Sequence, residues 1–293
     1  MNGFVILNKS EGVTSFKAAA ILRRIYGEKK TGHTGTLDPM ATGVLPVALG
    51  KATRFIDFIP SSEKGYVARF RLGIVTDTLD ITGNILSQRE VSVSRDEVEA
   101  VLGSFTGDIM QLPPMYSAIS KDGVRLYELA RKGIEVEREE RAVTIKRLEV
   151  SDYKGENEFE IEVLCSKGTY IRSLISDIGE KLGTGAVMTS LNRTLSNGFS
   201  ISDAKTVEEL EVLKEKAVLG IDYPFSVYPE VSVTEKQAKR FCNGGELSAD
   251  RLHTDIKASL YRVYAPGHIF LGLGEVKEED LNTLWAKRVI GNG

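Results

Sequence analysis

The chain has 293 residues, 42% hydrophobic and 27% charged, the composition of a globular protein with room for one large domain or two. Its 38 Lys and Arg against 41 Asp and Glu give a formal charge of -3, which argues against a protein that grips nucleic acid by bulk charge. Two cysteines cannot build a disulfide scaffold, the start lacks the apolar run of a secretory leader, and no stretch reaches the roughly 18 apolar residues of a membrane span, so a soluble, cytoplasmic protein is expected. The charge is uneven. Residues 1–54 hold eight Lys/Arg and three Asp/Glu, a local excess of +5, while residues 55–220 carry -7 and residues 221–293 carry -1.

Phe4–Leu7 predicts a short buried strand. Ser15 is a suitable N-cap for a helix over 16–26, closed by Gly27. Residues 32–42 are rich in Gly and Thr and predict a loop. The apolar run 44–49 predicts a strand, placed at a sheet edge because Pro46 has no amide hydrogen. Tyr66, Ala68, Phe70 and Leu72 alternate, the mark of a strand with one buried face. Ser94-Arg95-Asp96-Glu97 is a capping box for a helix to Leu102. A helix over 124–132 and a strand over 143–150 follow. Phe159, Ile161, Val163 and Cys165 then alternate with Glu158, Glu160 and Glu162 in a second half-buried strand. Ile171, Leu174, Ile175, Ile178 and Leu182 share one helical face, and 206–218 reads as a charged amphipathic helix. Without a regular βαβ repeat, this order predicts an α+β fold with a mixed, mostly antiparallel β-sheet flanked by helices. The two-proline stretch 222–229 predicts a connection between a domain of residues 1–222 and a small C-terminal β-domain of residues 229–293, with β-like runs at 260–264 and 268–273.

Several chemistries lack their residues. His33, His253 and His268 share no metal-ligand spacing and no C-x-x-C occurs, so no metal is expected. A phosphate loop, a dinucleotide fingerprint and a G-x-S-x-G nucleophile elbow are also missing. What remains is Gly32–Gly43, GHTGTLDPMATG. Pro39 drives Asp38 out of the helical region and so presents its carboxylate in a restricted geometry, and the flanking glycines allow close backbone approach to a ligand. Lys29, Lys30, His33, Lys51 and Arg54 are near enough in sequence to hold a polyanion against this loop. On local signals alone an Asp-Pro here is more often an ordinary turn, Tyr66 a core aromatic and Arg172 a surface arginine.

A longer pattern gives these residues a context. The run Gly32–Arg54, GHTGTLDPMATGVLPVALGKATR, resembles the signature of the TruB family of RNA pseudouridine synthases. Lys64-Gly65-Tyr66 with Leu72-Gly73, Thr76-Asp77-Thr78, Asp80 and Gly83 resembles the family's second motif. Gln111–Ala118 with Gly123 and Leu126–Arg131 resembles its central segment, and Ser166–Leu174 its arginine motif. The landmarks run in order through most of the first two hundred residues. Three positions and one stretch depart from the pattern: Ser10 and Ser120 stand where Pro and Lys are usual, Asn192 replaces the first Arg of L-R-R-T, and Val231–Val276 is only loosely similar to a PUA-like RNA-binding domain.

The resemblance implies a catalytic domain followed by that PUA-like β-domain, and an isomerase that converts uridine to pseudouridine at position 55 in the T-loop of tRNA. Such a reaction needs no cofactor or metal. Asp38 matches the family's catalytic aspartate, attacking either the ribose anomeric carbon or the pyrimidine ring, with Arg172 holding it ionised and oriented. Breaking a bond at an anomeric carbon resembles glycoside cleavage, where a carboxylate acts as nucleophile or ion stabiliser. Tyr66 matches the residue that stacks on the uracil, Leu191 lines the base pocket, and His33 fills the space left by the flipped base. Asp80, Tyr170 and Lys9 join the substrate-binding set. Lys9, Lys17, Arg23, Arg24, Lys29 and Lys30 are the expected phosphate contacts. The expected partner is the tRNA T-arm, with no membrane and no obligatory protein partner, and the expected state is a monomer. Two other readings share these residues: the catalytic subunit of a guide-RNA-dependent pseudouridylation complex, and a non-catalytic tRNA-binding or folding protein.

Overall fold

The computed structural model describes residues 1–60, 63–155, 157–252 and 256–291, so His253 lies outside the described residues. The first part of the chain runs β1 (Gly3–Lys9), α1 (Ser15–Ile25), β2 (Thr31–His33), β3 (Thr42–Leu49), β4 (Lys64–Leu72), a hairpin of β5 (Ile74–Thr76) and β6 (Ile85–Gln88), and α2 (Arg95–Leu102). It continues through β7 (Gly107–Gln111), a hairpin of β8 (Ser120–Lys121) and β9 (Val124–Arg125), α3 (Leu126–Ala130), β10 (Arg141–Gly155), β11 (Glu158–Cys165), α4 (Ile171–Lys181), β12 (Ala186–Ser196), β13 (Phe199–Ser200) and α5 (Val207–Leu213). One sheet takes the order β1-β3-β12-β4-β11-β10-β7, with β2 against β3 and β13 against β12. Its pairs are antiparallel except for the contact of β3 with β12. The expected mixed, mostly antiparallel sheet with flanking helices is what the chain builds.

The alternations set the layers. Tyr66, Ala68, Phe70 and Leu72 of β4 are buried, as are Phe159, Ile161, Val163 and Cys165 of its neighbour β11. Ile171, Leu174, Ile175 and Ile178 of α4 join the same core, and the Phe70 and Phe159 rings stack at 5.6 Å. Each Val, Leu, Ile or Phe among them contributes about 1.5–3 kcal/mol by leaving water.

Four local expectations are corrected. The cap of α1 is Thr14, whose side chain accepts from the Lys17 amide, while Ser15 turns inward to the backbone of Leu37. β3 is interior and not an edge. The Pro46 carbonyl accepts from the Thr34 amide, so the side of Pro46 that lacks N–H faces the gap between the end of β2 and the contact with β12. The helix expected over 124–132 shortens to α3 because Val124 and Arg125 pair back onto β8. The helix expected over 206–218 is α5 followed by a 3-10 turn, Lys214–Ala217.

A second sheet follows: β14 (Glu230–Ser232), then α6 (Glu235–Cys242), β15 (Leu247–Ser248), β16 (Leu260–Ala265), β17 (Ile269–Lys277) and β18 (Asp280–Val289), in the order β14-β16-β17-β18-β15. The stretch 222–229 is packed. Its Phe225 is fully buried, and the Phe55 ring lies 6.0 Å from it and 5.9 Å from Phe270 of β17. Lys51 Nζ donates to the Gly291 carbonyl and Arg54 Nη1 to the Ile290 carbonyl, each at 3.0 Å. These two cations therefore bind the end of the second sheet, where the sequence suggested a polyanion.

Candidate active site

The loop between β2 and β3 carries Asp38, and the backbone around it is fastened from several sides. Ser15 Oγ accepts from the Leu37 amide at 2.8 Å and donates to its carbonyl at 3.1 Å. Arg193 of β12, fully buried, donates Nε to the Val44 carbonyl at 2.8 Å and its two terminal nitrogens to the Thr36 and Gly35 carbonyls at 3.2 Å. Thr34 Oγ1 donates to Asn197 Oδ1 at 2.9 Å, and Lys64 Nζ donates to the same oxygen at 2.5 Å and to Ser196 Oγ at 2.7 Å. Gly43 is held at φ +101° where β3 meets β12, and a Cβ there would lie 2.3 Å from the Arg193 carbonyl oxygen. Only glycine allows this approach.

Arg172, near the start of α4, reaches the loop with a two-point grip. Its Nε lies 2.9 Å from Asp38 Oδ2 and its Nη2 3.1 Å from Oδ1. Nη2 also donates to the Tyr116 carbonyl at 2.8 Å and Nη1 to the Thr78 carbonyl at 2.9 Å. Bidentate pairing of this kind fixes direction as well as charge. Asp80 stands behind the guanidinium, its Oδ2 3.6 Å from Nη1. Its Oδ1 accepts from Thr78 Oγ1, the Thr82 amide and Thr82 Oγ1, so the carboxylate orders its own turn. The Arg172 side chain is 5% exposed, whereas that of Asp38 is 33% exposed: the acid faces the open side and the base is walled in.

Burial pushes the Asp38 carboxyl above its ordinary value, Arg172 and Lys9 pull it down, and Asp80 pushes it up. Tyr66 of β4 lies opposite Arg193 on β12 and within electrostatic range of Asp38, with its phenol raised by burial and lowered by Arg193. Leu191, also on β12, is buried opposite Ala68. His33 ends β2, its pKa lowered by burial and by Arg193, and its Nδ1 is buried without a hydrogen-bond partner among the described residues. Tyr170 precedes α4, and its phenol senses Asp38 and Arg172. Arg172, Asp80, Tyr66, Tyr170 and Lys9 thus lie within electrostatic range of the Asp38 carboxylate, while His33 and Leu191 stand on the neighbouring strands β2 and β12. The Lys9 ammonium is buried and donates to the Ser10, Val13 and Pro39 carbonyls at 2.9, 2.7 and 3.3 Å. All three of its protons are committed to the frame of the loop, so it is not placed on a phosphate.

Sequence reasoning missed Arg193, Lys64 and Gln111 as site residues. Gln111 is buried; its Oε1 accepts from the Tyr170 amide and its Nε2 donates to the Tyr170 carbonyl, which sets the start of α4 and so the reach of Arg172. All three stood inside or beside quoted motifs. Their signal was a polar residue at an inward-facing strand position, which must find partners when buried. No group of three or more His, Cys, Asp or Glu placed to hold a metal occurs among the described residues, nor a helix long and apolar enough to cross a membrane.

A carboxylate gripped by arginine, open on one side and backed by a tyrosine, defines a site for covalent or electrostatic work on an electron-poor carbon. The chain matches the TruB family pseudouridylate synthase N-terminal domain over residues 23–171, the tRNA pseudouridylate synthase B C-terminal domain over 172–219, and the TruB pseudouridine synthase II C-terminal family over 229–290. It belongs to the TruB family and is a pseudouridylate synthase. It is 46% identical over 283 residues to tRNA pseudouridine synthase B of Clostridium perfringens, covering 95% of this chain and 96% of that one. The namesake from Alkaliphilus oremlandii is 44% identical over 293 residues, covering 98% and 97%. Among solved structures, a Cbf5-Nop10-Gar1 complex aligns with TM-score 0.74 at 28% identity, over 98% of this chain and 84% of that one. An H/ACA RNP bound to a substrate RNA containing 2'-deoxyuridine aligns with TM-score 0.73 at 26% identity, over 99% and 85%.

Proposed function

We propose that this chain converts uridine to pseudouridine at position 55 in the T-loop of tRNA, with Asp38 as the nucleophile. The observation that carries the reading is the two-point Arg172–Asp38 pair on an acid that stays open to one side. The target uridine leaves the stack, because no side chain reaches the reacting carbon inside one. Asp38 then bonds to the ribose anomeric carbon or to the pyrimidine ring, and the N1–C1′ bond breaks. The uracil turns, C5 bonds to C1′, the bond to Asp38 breaks with its electron pair returning to the carboxylate, and the proton on C5 is lost while N1 gains one. The product is an isomer, so no oxidant, reductant or transferred group is required. Arg172 keeps the carboxylate charged and aimed, Tyr66 stacks on the base, Leu191 lines its pocket and His33 occupies the vacated space.

Relatives above 40% identity along nearly their whole length are named tRNA pseudouridine synthase B, whereas the Cbf5-Nop10-Gar1 complex and the H/ACA RNP stand below 30%. We read the chain as a monomer that works in the cytoplasm without a protein partner. Purified protein is incubated with an unmodified tRNA transcript and pseudouridine is mapped at single-nucleotide resolution. Product at the T-loop uridine without added guide or partner is expected. Its absence, with RNA binding retained, overturns the catalytic reading. Asp38→Asn is expected to abolish turnover and keep RNA affinity within a few-fold, since the amide cannot act as nucleophile but preserves the docking surface.

A further inference from the structure

Helix α1 presents an exposed aromatic beside a group of cations that form no ion pair among the described residues. Phe16, in its first turn, is 79% exposed. Ala20, Arg23 and Arg24 follow on the same face at the i, i+4, i+7 and i+8 positions, and with Glu28 and Lys29 they line an open groove of about 520 Å³. Some cations elsewhere on the surface are paired: Arg69 with Glu160, Arg71 with Glu158, Arg95 with Glu99, Arg147 with Glu162, Lys287 with Glu275. Lys17, Arg23, Arg24, Lys29 and Lys30 form no ion pair among the described residues. A single exposed apolar side chain needs no explanation. An aromatic rising out of a set of unpaired cations has the composition of a surface for single-stranded nucleic acid, where rings take bases and cations take phosphates.

The position of this face agrees with its chemistry. Ser15 holds α1 to the Leu37 backbone through two hydrogen bonds, so Phe16 emerges next to the residue that precedes Asp38. The cations then lead away from the site along the helix.

We propose that this face of α1 receives the unpaired RNA flanking the target uridine, with Phe16 stacked on a neighbouring base and Arg23, Arg24 and Lys29 on the phosphates beyond it. The proposal rests on the pseudouridine-synthase reading and adds to it a base-stacking residue and a path for the strand. Phe16 makes no sequence-specific hydrogen bond, so its contribution tolerates any base.

The test measures binding of a labelled T-arm stem–loop to full-length protein carrying Asp38→Asn, and single-turnover pseudouridine formation by protein with Asp38 intact. Phe16→Ala is expected to weaken binding about tenfold, and Phe16→Trp to retain it, because stacking needs only an aromatic face. Arg23→Glu with Arg24→Glu is expected to weaken binding further and to flatten the slope of log K against log salt by about 1.4, or about 0.7 per single-strand phosphate lost. Arg95→Glu, a single such reversal on the paired surface of α2, is expected to leave binding unchanged. Wild-type affinity in both Phe16→Ala and the double reversal, with the parent enzyme active, overturns the proposal. Equal weakening by Ala and Trp overturns the stacking role. Failure of the parent enzyme to make pseudouridine overturns the functional reading instead, which the binding data do not depend on.

Discussion

The side chain of Gln111 makes two hydrogen bonds to the backbone of Tyr170, the residue that leads into the helix of Arg172. The Tyr170 carbonyl has a second donor in the Leu174 amide, but the Tyr170 amide is served by Gln111. Gln111→Leu therefore leaves a part-buried N–H without its partner, at a cost of about 1 kcal/mol. A melting temperature a few degrees lower is expected, together with a fall in kcat larger than any rise in KM, because the arginine grip loosens while the RNA surface is untouched. Gln111→Glu, which keeps the acceptor, is expected to lose less. Thermal denaturation and steady-state kinetics of the two variants check this.

With Asp38 as the proposed nucleophile, turnover needs its carboxylate ionised, and kcat should rise as that group loses its proton. Burial is the strongest influence on it and acts upward, so the acid limb of the pH profile should lie above the ordinary value of 3.8. Arg172→Gln removes the first opposing influence. It is expected to move the limb to higher pH and to lower kcat about a hundredfold through lost orientation. A profile that keeps its midpoint in Arg172→Gln would contradict the electrostatic role.

Two buried lysines make stability depend on alkaline pH. Burial lowers Lys64 from 10.5 to about 7 and Lys9 to about 8. Through the window from about 7 to 10.5 the unfolded chain holds protons that the folded chain has released, so raising pH across it favours the folded state. Lys64→Met removes one of these titrations and is expected to flatten the rise in unfolding free energy between pH 7 and 10, whatever it does to the level. Urea titrations at several pH values read that slope.

The chain has one tryptophan, Trp285, and it lies in the second sheet. Phe4, Ala48, Phe55, Phe225 and Leu273 form one apolar cluster between the sheets. Tryptophan fluorescence and far-ultraviolet circular dichroism should therefore report coincident urea transitions. Phe55→Ala is expected to cost about 3–5 kcal/mol and to separate them, because the ring lost is the one between Phe225 and Phe270.

Much of this architecture was legible in the sequence. Alternation in 66–72 and 158–165 marked the two central strands because one buried face forces a period of two. The 94–97 capping box formed as written, since its signal is local. What failed was decided by partners distant in sequence. Ser15 looked like a cap until Leu37 claimed it, and Lys51 and Arg54 looked free until the end of the second sheet reached them. The site was legible as a motif and not as a mechanism of support. Asp38, Tyr66 and Arg172 were named, whereas the bonds that hold them, from Arg193, Lys64 and Gln111, join residues about sixty to more than a hundred and fifty positions apart.

The clamp of Thr34, Asn197 and Lys64 has a bearing on substrate choice. A loop fastened by side chains from β4 and β12 and by the turn that follows gains little by reshaping itself around its target, so the work of deformation falls on the nucleic acid. On the function proposed above, discrimination then turns on how cheaply a given uridine can be unstacked, and a bent loop that already strains its bases is expected to be processed more readily than a uridine in a regular helix.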